Sequence, residues 1–254
     1  MGESRFLPRL GVVAVLAAVV AAAPMAPEMV GLARGYLRAN GIGSRTVPQV
    51  LAELGPVDRD LGVRSEAAGV RWPPARTTWL AFKEERRLEA WVAGAEGGFV
   101  QLATYPILAA SGETGPKRRE GDEQVPEGFY RLTALNPNSR YHLSVRVDYP
   151  NEEDITHRRV SRSAMGGDIF VHGSHFSIGC IAVGDRAIEE LFVLAARVPA
   201  GGRRILIAPV DFRSRPEGAA GDEPWVRDLY VRLREALGSF APAEPTVAPE
   251  PSGP

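Results

Sequence analysis

Cysteine is nearly missing from this chain: Cys180 is the only one in 254 residues. A lone thiol forms no intrachain disulfide, which excludes a disulfide-stapled scaffold and leaves Cys180 either free or paired with another molecule. Net charge is nearly missing too. Thirty Lys and Arg against thirty-one Asp and Glu leave -1 at pH 7, so nucleic acid is not an expected partner. The chain has no internal repeat, no glycine-rich phosphate loop and no carboxylate cluster at metal-ligand spacing, and no cofactor is expected.

What is present begins with an export-like segment over residues 1–27. Arg5 and Arg9 precede an apolar run, residues 10–23, of signal-peptide length and too short for a comfortable membrane span. Ala21-Ala22-Ala23 resembles a cleavage site, but Pro24 follows it, so a cleaved signal peptide and a short membrane anchor both stay open. Residues 28–75 read as a helical N-terminal segment. Met29, Leu32, Ala33, Tyr36 and Leu37 share one helical face, and Asn40-Gly41 stops it. Thr46 caps a second short helix carrying Val50, Leu51 and Leu54, ended by Gly55-Pro56. Trp72-Pro73-Pro74-Ala75 reads as a boundary.

From Arg76 the period changes to that of strands, over residues 77–82, 88–93 and 99–107. Further on, Leu143, Val145, Val147 and Tyr149 alternate with His142, Ser144, Arg146 and Asp148, so one face is buried and the other is open. Lys117, Arg118 and Arg119 are either a solvated charge run balanced by Glu120, Asp122 and Glu123 or a group facing a substrate carboxylate. His157, among arginines, reads as surface. Residues 204–208 read as a last core strand. Residues 211–240 hold a helix opened by Asp222-Glu223-Pro224, with Val226, Leu229, Tyr230, Leu233 and Leu237 on one face and Gly238 at its end. The Pro-, Ala- and Glu-rich tail, residues 241–254, is expected to be disordered.

The chemistry concentrates in residues 166–185, GGDIFVHGSHFSIGCIAVGD, which hold Cys180 and two of the four histidines. Ile169-Phe170-Val171 leads into His172 as a buried strand. Ile188, Leu191, Phe192 and Ala195 follow at helical spacing, with Asp185 placed to cap that helix. A histidine at a strand end and a thiol on the next loop suit acyl chemistry, in which an imidazole takes the proton of a nucleophilic thiol. The backbone N–H groups of Gly179, Cys180 and Gly173 are candidates to bind the oxyanion. A buried structural cysteine, and a zinc site on His172, His175 and Cys180, fit the spacing as well.

The same residues resemble the active-site signature of the L,D-transpeptidases, the YkuD-type cysteine enzymes of bacterial cell walls. His172-Gly173 matches its first part and Ser177-Ile178-Gly179-Cys180 its second, while Pro126-Glu127-Gly128-Phe129-Tyr130 resembles the family's Pro-x-Gly-x-aromatic turn. Ile178 stands where a second histidine is usual, the loop is short, and the arginine often found after the cysteine is absent, a pattern similar to the YafK-like branch. The resemblance covers residues 76–210. It implies an α+β, mainly β fold, a YkuD-type catalytic domain of β-sandwich-like mixed sheets with flanking helices. It implies Cys180 as nucleophile and His172 as base; with no second cysteine and no acidic residue in the loop of residues 173–179, no metal is expected there. His142, Ser177 and His175 are its substrate-binding candidates. The implied enzyme is exported to the periplasm or cell envelope and acts on peptidoglycan stem peptides through an acyl-enzyme. Its acceptor is an amine, or water that releases a wall-linked lipoprotein or a D-amino acid. The short loop with Ile178 leans this expectation toward water. The alternative is a non-catalytic wall-binding or metal-binding envelope domain with an inert Cys180.

Overall fold

The computed structural model describes residues 43–219 and 221–240, together with Tyr36. The expected signal or anchor, the rest of the first helix and the C-terminal tail lie outside the described residues. Thr46 caps α1 (Val47–Glu53) as expected, in a capping box: Gln49 N donates to Thr46 Oγ1 at 3.4 Å and Thr46 N to Gln49 Oε1 at 2.8 Å. Gly55-Pro56 ends that helix as expected, with Leu54 at its C-cap, and at once opens α2 (Gly55–Ala67). Proline is tolerated in a first turn, where its missing N–H would have had no partner. Trp72 Nε1 donates to Asp58 at 3.1 Å.

Among the described residues the nine strands are β1 (Arg76–Phe82), β2 (Arg87–Ala93), β3 (Val100–Pro106), β4 (Ala109–Ala110), β5 (Gly128–Asn136), β6 (Ser144–Val147), β7 (Phe170–His172), β8 (Ile181–Ala182) and β9 (Arg203–Ala208). They form one mixed sheet in the order β3-β2-β1-β9-β5-β6-β7-β8-β4, curled into a half-barrel. Only β1–β9 and β7–β8 are parallel pairs. The expected mainly β, α+β architecture with flanking helices is present, its strands forming one continuous sheet.

Strand alternation serves two cores. On β1, Trp79 and Ala81 face a cluster that includes Ile188, Leu191, Phe192 and Ala195 of α4 (Asp185–Arg197). Leu80 and Phe82 face the other cluster, with Val226, Leu229, Tyr230, Leu233 and Leu237 of α5 (Pro224–Leu237). Helix α2 lies along α4, tied by Arg64–Glu190 at 2.6 Å and by Arg197 with Asp58. A short helix, α3 (Glu152–Thr156), follows β6. His157 at its end is half-buried, stacked 4.4 Å from Trp225, rather than free on the surface.

The chain has only two lysines, and both side chains are almost fully buried. Each holds the long segment between β4 and β5. Lys83 Nζ donates to Glu127 Oε1 at 2.9 Å. Glu127 also accepts from Gly115 N and from Tyr230 of α5, both at 2.7 Å, so its buried charge is fully paired. Lys117 Nζ donates to Asp122 at 2.6 Å, while Asp122 accepts the backbone N–H groups of Arg118 and Arg119. Arg118 pairs with Glu223 and lies 4.6 Å over Trp225. The expected solvated charge run is thus a turn folded around Lys117.

A buried carboxyl gives this fold a pH dependence. Asp154 accepts Asn151 N at 2.9 Å and the Tyr130 hydroxyl at 3.1 Å, and burial pushes its pKa up to about 6. The folded state therefore binds this proton more tightly than the unfolded chain. The stability it contributes is full below the ordinary carboxyl value and is lost as pH rises through about 6. Asp154→Asn is expected to be more stable than the parent by about 1–3 kcal/mol above pH 6. The advantage should vanish near pH 4. Tyr130 can turn its proton to Glu127 O, 3.2 Å away, and accept from the new amide. Thermal melts across this range check it; parallel curves for the two proteins would refute the shift.

Candidate active site

Register brings the two chemical residues together. Strands β7 and β8 pair with Val171 opposite Ile181 and His172 opposite Ala182, so one residue back Cys180 lies opposite Phe170. Phe170, His172 and Cys180 then share one face of the sheet. On β6, Ser144 lies opposite His172 on that face. The face forms part of a cavity of about 480 Å3, closed further by Asn138, Ser139, Arg140, Tyr141 and Asp168. A larger hollow of about 730 Å3, beside Arg131 and Asp148, contains neither histidine nor cysteine.

His172 is 2% exposed. Its Nδ1 lies 2.6 Å from Gly173 O; a carbonyl only accepts, so Nδ1 carries the proton and Nε2 keeps its lone pair. The Tyr141 ring stacks on the imidazole at 4.7 Å. Burial lowers the pKa of His172, so the ring is neutral at neutral pH. Burial likewise pushes the Cys180 thiol up, and the Asp168 carboxylate adds to this, partly offset by the Phe170 backbone and Lys117. The pair therefore rests as neutral thiol and neutral imidazole. The thiol donates to Asp168 O at 3.6 Å and not to His172. Asp168 holds a left-handed backbone (φ 56°), so its carbonyl is set at the sulfur by a strained residue. Rotation about the Cys180 side chain would exchange this acceptor for another.

The turn after His172 is fixed by Asp185. The expected helix cap is corrected here: Gly184 occupies the N-cap of α4 without a side-chain bond, and Asp185 Oδ1 accepts Ser174 N at 2.7 Å. A Cβ at Gly173 would lie 2.6 Å from Asp185 Oδ1 and 2.7 Å from Tyr141 O. Gly173→Ala is therefore expected to destabilise the fold by about 1–3 kcal/mol through overpacking and to displace His172. Denaturant unfolding measures the first and the rate of Cys180 alkylation the second. A variant with unchanged stability would show that this turn yields freely.

The expected oxyanion donors are all engaged. Gly179 N donates to Ser111 Oγ at 2.6 Å, Cys180 N to Ser177 Oγ at 3.0 Å and Gly173 N to Leu143 O at 3.2 Å. An oxyanion at Cys180 would have to displace a hydroxyl to use the first two. None of the three expected substrate-binding side chains lines the 480 Å3 cavity. Ser177 donates back to Cys180 O at 2.6 Å and closes the turn. His175 is exposed and lies against Phe176, 4.1 Å between ring centres. His142 has φ 72° and its Nε2 lies 2.8 Å from Glu189 on α4. Residues not singled out from the sequence take their place: Arg140 and Tyr141 in the cavity, Asp168 at the sulfur, Ser111 at Gly179. For Arg140 and Tyr141, the polar, turn-rich stretch of residues 136–141 between two strands was the one visible signal. Among the described residues, no group of three or more His, Cys, Asp or Glu side chains is placed to hold a metal ion.

Cys180 also lines a second cavity of about 150 Å3, with Lys117, Glu120, Glu123, Asp168 and Ile178.

The sequence profile of the L,D-transpeptidase catalytic domain (YkuD) matches residues 78–207. The chain is 39% identical over 113 residues to the Escherichia coli K12 protein named "Putative L,D-transpeptidase YafK", an overlap of 44% of each chain. It thus spans less than half the length of that relative. Among solved structures, it is similar to the helical cell shape determining protein Pgp2 of Campylobacter jejuni (21% identity, TM-score 0.42, covering 59% of this chain and 54% of that one). It is also similar to L,D-transpeptidase 1 of Mycobacterium tuberculosis (16%, TM-score 0.32, 54% and 73%).

Proposed function

From the premise that this chain belongs to the YkuD family of L,D-transpeptidases, peptidoglycan-modifying enzymes that act on stem peptides, we propose that it is a cysteine-dependent acyl-transfer enzyme cutting at the diamino-acid residue of those peptides. The observation that carries this is the shared face of His172 and Cys180 in one cavity, with His172 Nε2 left as the acceptor. His172 Nε2 takes the Cys180 proton as the thiolate attacks the scissile carbonyl. It then returns the proton to the leaving amine, and a thioester remains on Cys180.

Water is the acceptor this site favours. The second cavity beside Cys180, about 150 Å3, has room for a few waters but falls short of the ~300–1,000 Å3 usual for a ligand cleft. Ile178, 78% exposed on the short loop, offers no side-chain hydrogen bond to an incoming amine. Hydrolysis would release a terminal D-amino acid or a wall-linked lipoprotein, and the enzyme would work in the envelope after export. Among the described residues no helix is long and apolar enough to cross a membrane. The domain limits proposed are the export segment 1–27, the helical segment 28–75, the catalytic domain 76–210, the helix region 211–240 and the tail 241–254.

The test supplies a labelled tetrapeptide donor, excess diamino-acid stem acceptor and oxygen-18 water, and reads product masses. Label in a shortened peptide is expected. Unlabelled crosslinked dimer would make the protein a crosslinking transpeptidase, and no product from any stem peptide would end the catalytic proposal.

A further inference from the structure

Charge is unevenly spent in the cavity of His172 and Cys180. Of its two ionic lining residues, Asp168 is faced by Arg146 at 3.7 Å. The other, Arg140, is exposed and makes no hydrogen bond or ion pair with any described residue. Arg131, by contrast, pairs with Asp148 at 2.7 Å. Arginine stays charged at any physiological pH, so Arg140 leaves a positive field over whatever enters the cavity.

The loop that carries it is fixed on both sides. Arg45 N donates to Asn138 Oδ1 at 2.7 Å, Asn138 Nδ2 returns a bond to Arg45 O at 2.8 Å, and the Arg45 guanidinium reaches Pro137 O at 3.0 Å. Tyr141 N donates to Ser139 Oγ at 3.1 Å, and the Tyr141 ring lies on His172. Arg140 therefore sits between one residue pair anchored to the N-terminal segment and another stacked on the imidazole. The side-chain acceptors of Asn136, Asn138 and Ser139 are already occupied by the backbone N–H groups of Asn138, Arg45 and Tyr141. Among the described residues Arg140 is the one cationic side chain lining the cavity, and all its donors are unspent.

We infer that Arg140 determines specificity: it receives a substrate carboxylate, selecting stem peptides with a free acid beside the scissile bond over those capped as amides. The guanidinium fork matches a carboxylate with two parallel N–H···O bonds, which a carboxamide cannot accept in the same way. This inference rests on the stem-peptide reading above, and binding separates the two.

The experiment measures calorimetric affinity of the Cys180→Ala protein for two stem tetrapeptides that differ only in a C-terminal carboxylate or carboxamide. The acid is expected to bind about 10- to 100-fold tighter, the range of a charge-assisted pair. Adding Arg140→Gln should remove the preference, and Arg140→Lys should restore part of it. A merely structural Arg140 would weaken both peptides alike. Equal affinity for the two peptides, a preference that survives Arg140→Gln, or no binding of either would overturn the assignment. Acid preference through Arg140, with no product from the unsubstituted enzyme, would instead leave the assignment standing and sink the acyl-transfer mechanism.

Discussion

Cys180→Ala is expected to abolish product formation from stem peptides, by at least about 10^4-fold, while the protein still melts within a few degrees of the parent. The two halves have different causes. Loss of turnover follows from removing the atom that would form the thioester, for which alanine has no substitute. Retained stability follows from the position of the sulfur. Cys180 is partly exposed in a cavity, and its thiol makes one long contact, 3.6 Å to Asp168 O. Its backbone anchors, through Ser177 and Asp168's neighbours on β7, do not depend on sulfur. Turnover and thermal melts on the same preparation decide it. Undiminished activity in a folded variant would remove Cys180 as nucleophile. Iodoacetamide adds a check, because a thiol in an open cavity should be alkylated in the folded unsubstituted protein and an inert buried one should not.

Much of this architecture was legible because the relevant signals were periodic. Strand β1 alternates Trp79 and Ala81 against Leu80 and Phe82, and both sets are large or apolar because both faces are covered. Helices α4 and α5 announced their buried stripes by spacing. The failures occurred where one residue type serves two local structures. Gly55-Pro56 is a stop signal and a start signal, and only its first half was legible: α1 ends at Glu53, and α2, packed on α4, begins at Gly55. Asp185 stands at a helix terminus and within reach of the Ser174 N–H, and the buried turn takes it. His142 belonged to an alternating run, but β6 begins at Ser144, and the left-handed backbone at His142 turns it to Glu189.

The site divides in the same way. His172 and Cys180 lie eight positions apart, and strand period carries both to one face. Arg140, Ser111 and Lys117 reach the site from distant segments through pairings of β4, β5 and β6 that no local pattern encodes. The engaged N–H groups of Gly179 and Cys180 depend on where two serine hydroxyls fall, a tertiary fact.

His172→Gln is expected to lower the acylation rate by about two to four orders of magnitude, the usual worth of a general base, and to change the pH profile. In the unsubstituted enzyme, burial holds the imidazole below its ordinary value. The working form is the neutral ring, so kcat/KM should rise through a pKa lower than that of a free histidine and stay high across neutral pH. Glutamine keeps a donor toward Gly173 O but has no basic nitrogen, so that acid limb should disappear. What remains should follow ionisation of the thiol itself, which burial moves upward, so residual rate and alkylation should climb only in alkaline solution. His175→Gln should leave the profile close to that of the parent, because its ring is exposed against Phe176 and lines neither cavity beside Cys180. Rate-against-pH curves for the three proteins decide between the histidines. An acid limb that persists in His172→Gln and vanishes in His175→Gln would transfer the base to His175, and with it the exposed loop would become part of the reacting centre.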